Sequence, residues 1–107
     1  GGGDLDKFAA VYRQLAAKLP PDLPVIIEVQ GHTDRAPVRG RFPSNWELSV
    51  DRATRVARAL VGMGIEPARL SIRGFGEDRP LVANDSDENR MRNRRVEIQF
   101  SLAPSSA

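Results

Sequence analysis

The feature that most constrains this chain is one amphipathic helix with a charge set inside its apolar arc. Between Asn45 and Gly64, at about 100° per residue, Trp46, Val50, Ala53, Val56, Ala57, Leu60 and Met63 fall on one broad face. Asp51, Thr54, Arg55 and Arg58 fall opposite. Ser44 or Asn45 caps the start, and Glu47, three residues after Ser44, fits a capping box. Gly64 stands at the position where a helix end favours glycine. Arg52 projects between Leu48 and Val56, one turn from each, so it belongs to the apolar side. A guanidinium there needs a partner, because an unpaired charge against a core costs on the order of several kcal/mol.

The flanking segments complete a layered fold. Asp4 reads as an N-cap, and Leu5, Phe8, Val11, Tyr12, Leu15 and Leu19 recur at helical spacing until Pro20-Pro21 stops them. Val25 to Gln30 is a β-rich run, with Ile26 on the face shared by Glu28 and Gln30. Its two-sided character suits a central strand. Arg35 to Ser44 is a loop rich in Pro, Gly and Arg. Ile65-Glu66-Pro67 turns the chain into a short strand, Leu70 to Arg73, and Gly74-Phe75-Gly76 turns it again. Leu81 to Asn89 is polar loop, with a helical turn at Asp87 to Met91. Arg95 to Leu102 alternates cleanly, with Val96, Ile98, Phe100 and Leu102 on one side. The expected class is α+β: a two-layer sandwich, with a mixed sheet of three to four strands and two main helices packed on one face. The strand-helix-strand unit predicts a right-handed parallel crossover, and the last strand an antiparallel partner.

At 107 residues the chain fits one domain. That domain is expected over residues 4–102, with Gly1-Gly2-Gly3 as a cloning scar and 103–107 as a frayed tail. Sixteen basic and 14 acidic residues leave a net charge of +2, too balanced to argue for nucleic acid. There are no cysteines, so disulfides and thiolate metal sites are excluded. No apolar run approaches the roughly 20 residues needed to span a bilayer.

Three groups of residues carry chemistry. His32-Thr33-Asp34 closes the first strand, where α/β folds place sites. A hydrolase could use His32 as base and Asp34 as its orienting partner. Against that, there is no second His, and Ser44, Ser49 and Ser71 sit in no nucleophile-elbow context. A metal site would need further ligands, so neither metal nor cofactor is expected. Asp34 with Arg52 is the sharper pair: either a structural ion pair or a clamp for a zwitterionic ligand. Arg90, Arg92, Arg94 and Arg95 form a basic cluster without the aromatic platforms that a nucleic-acid surface wants. Alternation turns Arg94 inward with Val96, and Arg95 outward.

Several blocks together resemble a known family. Gly31-His32-Thr33-Asp34, then Asn45-x-x-Leu48-Ser49-x-x-Arg52-Ala53-x-x-Val56, look like the signature of OmpA-like peptidoglycan-binding domains. Arg69-Leu70-Ser71, Gly74-Phe75-Gly76-Glu77, Pro80 and Asn93-Arg94-Arg95-Val96-Glu97 follow in the same order, so the likeness runs from about Val25 to Phe100. Ser44-Asn45-Trp46-Glu47-Leu48-Ser49 and the long Arg35 to Ser44 loop look most like the MotB branch of flagellar stator anchors.

The resemblance implies non-enzymatic binding of peptidoglycan through the diaminopimelate of its stem peptide. Asp34 would take the ligand's ammonium and Arg52 its carboxylate, with Thr33, Asn45, Leu48 and Arg94 at further contact positions. It also implies a periplasmic location, a membrane-inserted parent protein, a homodimer and no nucleic-acid partner. The family pattern opens with a further strand, where this chain has Gly1 to Asp4.

Overall fold

The computed structural model describes residues 2–20, 22–38 and 40–102. Its elements are α1 (Gly2–Lys18), β1 (Val25–His32), α2 (Asn45–Gly62), β2 (Leu70–Gly74), α3 (Asp87–Asn93) and β3 (Arg95–Leu102). A short 3-10 turn, Pro67–Arg69, leads into β2. The fold is α+β with a mixed sheet, as the pattern implied.

β1 is the central strand, parallel to β2 on one side and antiparallel to β3 on the other. The register brings apolar residues together on one face. Ile27 stands between Leu70 and Phe100, and Val29 between Ile72 and Ile98. That face packs under the helices. Ile27, Val29, Ala53, Ala57, Leu60, Ile65 and Ala9 form the buried core, with Phe8, Tyr12, Val56, Val96 and Phe100 around it. Phe8 stacks on Phe100 with ring centroids 4.7 Å apart, which seats α1 over β3. The opposite face carries Glu28, Gln30, His32, Arg73, Arg95, Glu97 and Gln99 and lines an open groove.

Two glycines set how closely α2 approaches the sheet. Gly31 and Gly74 are partners in the β1–β2 register. A Cβ at Gly31 would overlap the backbone carbonyl of Ser49, and one at Gly74 would overlap the Val50 side chain. Bare backbone at these two points lets the second turn of α2 press against the strands.

Several expectations are corrected. α1 begins at Gly2, so Asp4 lies in its first turn and is not its cap. Val11 is exposed, and the buried α1 residue is Ala9. β1 continues through His32, past Gln30. Trp46 and Val50 are exposed, standing over Gly76 and Gly74, which have no side chains to cover them; the buried positions are Ser49, Ala53, Ala57 and Leu60. α2 ends at Gly62 with Met63 as cap, and Gly64 takes the expected positive φ, 98°. The helical turn near Asp87 is a two-turn helix reaching Asn93. Leu102 is half exposed. The expected tail and Gly1 lie outside the described residues, while Gly2 and Gly3 belong to α1. Among the described residues, no helix is long and apolar enough to cross a membrane.

Candidate functional site

Four parts of the chain meet around one cavity of about 450 Å³. The end of β1 supplies Thr33 and Asp34, and the loop after it supplies Ala36, Pro37 and Val38. The first two turns of α2 supply Asn45, Leu48 and Arg52, and the C-cap of α3 supplies Arg94. All six residues singled out in the sequence therefore line the same space, although 61 positions separate Thr33 from Arg94.

Local bonding explains how they are held. The Thr33 backbone N–H donates to the Gly76 carbonyl at 2.8 Å, and Phe75 N–H to the Gly31 carbonyl at 3.0 Å. The β1 exit is thereby tied to the turn after β2. Ser49 is fully buried; its hydroxyl donates to the Trp46 carbonyl at 2.8 Å and accepts from Gly76 N–H at 3.0 Å. The start of α2 is pinned to the same turn. Ser44 caps α2, accepting from Trp46 N–H at 3.1 Å, and its hydroxyl donates to Glu47, which lowers the Glu47 pKa. The Asn45 amide donates to the Asp34 and Ala36 carbonyls at 3.3 and 3.1 Å and so fixes the loop that carries the aspartate. At the other end, fully buried Asn93 accepts from the N–H groups of Leu81 and Val82, and donates to the Val82 carbonyl and Asn84. That network anchors α3 and with it Arg94.

The charges are arranged unevenly. Asp34 is 4% exposed. Its Oδ1 accepts from Ala36 N–H at 2.9 Å. Its Oδ2 lies 3.1 Å from Nη1 of Arg94, close enough for an ion pair, yet no donor points at it with hydrogen-bond geometry. The expected partner was Arg52, and the structure corrects this: Arg94, reaching in from the α3 cap, occupies the carboxylate. Arg52 lines the cavity beside them, partly buried, with no ion pair or hydrogen bond to any described residue. A carboxylate with one unbonded oxygen and a guanidinium without a counter-ion among the described residues thus share one cavity. Such a site can receive a ligand carrying both signs of charge.

His32 does not belong to this site. It points to the open face of the sheet, with its ring stacked 5.0 Å from that of Phe75. No hydrogen bond or ion pair joins it to Asp34, so the base-and-orienter dyad of a hydrolase is not assembled. Burial lowers its pKa, reinforced by Arg95 and Arg79 and partly offset by Glu97, 3.5 Å away. The basic cluster is also dispersed. Arg90 pairs with Asp87, Arg94 with Asp34, and Arg95 with Glu97 at 2.6 Å on the other sheet face. Among the described residues, no group of three or more His, Asp and Glu could hold a metal ion.

Residues 3–94 match the OmpA family. The chain belongs to the OmpA family. This OmpA-family domain is 45% identical over 94 residues to motility protein B of Helicobacter pylori, an alignment covering 85% of this chain and 37% of that protein. Its fold superimposes on the C-terminal domain of Helicobacter pylori MotB with a TM-score of 0.81 and 40% identity, covering 94% of this chain and 72% of the other. It also matches the cell wall anchor of the T6SS from Pseudomonas aeruginosa, with a TM-score of 0.77 and 34% identity over 96% of this chain and 66% of that one. The likeness is to a MotB-type OmpA domain, and the chain spans little more than a third of the motility protein.

Sequence reasoning missed Ser49, Asn93, Gly31 and Gly74 as the parts that hold the site. The signals were present: a small polar residue inside the apolar arc of α2, an amide where a helix runs into a strand, and a glycine at the end of each parallel strand.

Proposed function

We propose that this domain binds peptidoglycan non-covalently, through the diaminopimelate of the stem peptide, and anchors a membrane protein or stator complex to the cell wall. In this reading Asp34 receives the ligand's ammonium and Arg52 its carboxylate. Thr33, Asn45, Leu48 and Arg94 form the walls. The domain works in the periplasm, without cofactor, metal or turnover, and its parent protein is a homodimer held in a membrane.

One observation carries the reading. A buried carboxylate with an unbonded oxygen and an arginine without a counter-ion among the described residues line one cavity of about 450 Å³. A free amino-acid head has one charge for each, and bidentate pairing with Arg52 would relieve the cost of holding that charge against the apolar side of α2. The relatives support the anchoring role: one is a motility protein, and another is named for its attachment to the cell wall.

Co-sedimentation with purified sacculi tests the proposal. The domain should pellet with diaminopimelate-type sacculi and release no soluble muropeptides. Release would point to hydrolysis, and failure to pellet would end the anchoring reading.

A further inference from the structure

The cavity around Asp34 does not end at Arg52. A second chamber of about 420 Å³ adjoins it, lined by Arg52, Arg55, Val56, Arg94, Arg95 and Val96. Arg52 and Arg94 line both spaces. Two other arginines there are already neutralised, Arg55 by Asp51 at 2.9 Å and Arg95 by Glu97. Arg52 has no such partner among the described residues, and Arg94 pairs with Asp34.

We infer that Arg94 is a built-in substitute for the ligand's ammonium, which binding displaces from Asp34 toward the second chamber. The inference rests on the proposed ligand reading. Asp34 Oδ2 is sealed from solvent in the free domain, and the group beside it is Arg94 Nη1. An incoming ammonium reaches that oxygen only when the guanidinium moves. The Arg94 side chain is 42% exposed and can swing out into water, whereas the Asp34 side chain is 5% exposed and keeps its need for a cation, which the ammonium fills. The pairing lacks hydrogen-bond geometry, which weakens it. The released guanidinium has a place to go, since it already lines the second chamber.

The destination explains why the ligand must carry both charges. Without an anion, Arg94 would approach Arg52, like against like. A carboxylate seated on Arg52 removes that repulsion and gives Arg94 a second partner. Binding then exchanges charges: the ammonium replaces Arg94 on Asp34, and the carboxylate receives Arg94 beside Arg52. Arg94 becomes a specificity-determining residue that penalises ligands bearing an amine alone.

The Arg94→Gln variant distinguishes this role from that of a simple wall contact. Its backbone N–H still donates to the Arg90 carbonyl, so the α3 cap is kept, and a thermal melt verifies the fold. Two probes are titrated calorimetrically: a soluble muropeptide with free meso-diaminopimelate, and the same muropeptide with that carboxylate amidated. The wild-type domain should bind the amidated form poorly. Arg94→Gln should bind it about three- to tenfold more tightly than wild type does, because no guanidinium has to be evicted. Equal or weaker binding of the amidated probe by the variant, with wild type binding the free form, overturns the displacement role and leaves the anchoring reading intact. No binding of either probe by wild type overturns both.

Discussion

Two buried titratable groups stand two residues apart at the exit of β1, and their surroundings differ sharply. His32 ends the strand facing the open side of the sheet, and Asp34 lies just past it in the cavity under the α2 start. Each has arginines nearby. Around His32 two of the three guanidiniums have carboxylate partners: Arg95 is bound to Glu97 and to the carbonyls of Asn93 and Arg79, and Arg73 lies 3.7 Å from Glu28, while Arg79 lies over the Phe75 ring, 4.9 Å from its centroid. Around Asp34 one carboxylate serves where two guanidiniums converge. Burial and neighbouring arginines therefore do not by themselves mark a binding site. An unbonded carboxylate oxygen and a guanidinium unpaired among the described residues, lining the same cavity, do.

The largest effect expected from breaking this contrast comes from the surplus charge. Arg52→Ala should remove detectable co-sedimentation with sacculi, a loss of about 2–5 kcal/mol, as when one partner of a desolvated charge pair is truncated. The domain should remain folded, since Arg52 bonds to nothing described. Pull-down equal to that of the parent would refute the site. Next comes the scaffold. Gly31→Ala drives a methyl into the Ser49 carbonyl, so α2 must shift off the sheet. We expect a loss of about 1–3 kcal/mol in denaturant melts, accompanied by weakened binding, because Ser49 and Arg52 ride on the same helix. Unchanged stability would show that α2 does not rest on bare backbone there.

Asp34→Asn is milder and more specific. An asparagine can still accept from Ala36 N–H, so the loop keeps its shape. The anion is lost, and binding to sacculi should fall by roughly tenfold, the weight of about 1.4 kcal/mol. The melting temperature should not fall with it, because a buried carboxylate with an unbonded oxygen is itself costly to hold. A variant that unfolds more easily and binds normally would make Asp34 a structural residue, and the contrast with His32 would disappear.

The elements that could be read from sequence were those with a strong period. The alternation of β3 and the helical spacing in α2 gave both elements within two residues of their observed bounds, and Arg52 stood out because it breaks the α2 pattern. Trp46 and Val50 depart from the expected burial because periodicity reports an angle around the helix and says nothing of how much surface covers each position; these two stand over Gly76 and Gly74. Arg94 as the partner of Asp34 was illegible for a related reason. The strand pattern gave its side of the sheet, but its reach depends on how α3 ends, and that is fixed by the buried Asn93 network. Gathering Thr33, Asp34, Asn45, Leu48, Arg52 and Arg94 needed the resemblance as well, because no local rule connects segments so far apart in the chain.

The smallest expected effect tests the quiet half of the comparison. Burial is the main cause of the lowered His32 pKa, with Arg95 and Arg79 adding to it and Glu97 opposing. The folded state therefore binds the His32 proton less readily than the unfolded state, whose histidine titrates near pH 6.5. Below that pH the unfolded chain takes up a proton that the folded one resists, so stability falls as pH falls through the lowered folded value. It is fully present above the unfolded value. His32→Phe keeps an aromatic ring against Phe75, with the open groove beside it to absorb the added volume, and removes the titration. Thermal melts between pH 7.5 and 5 should slope downward for the parent and less steeply for the variant. Binding to sacculi at pH 7.5 should be the same for both, because the imidazole lies on the far face of the sheet from Asp34. Lost binding in a folded His32→Phe domain would mean that the two faces are coupled and that the exit of β1 carries one site in place of two separate environments.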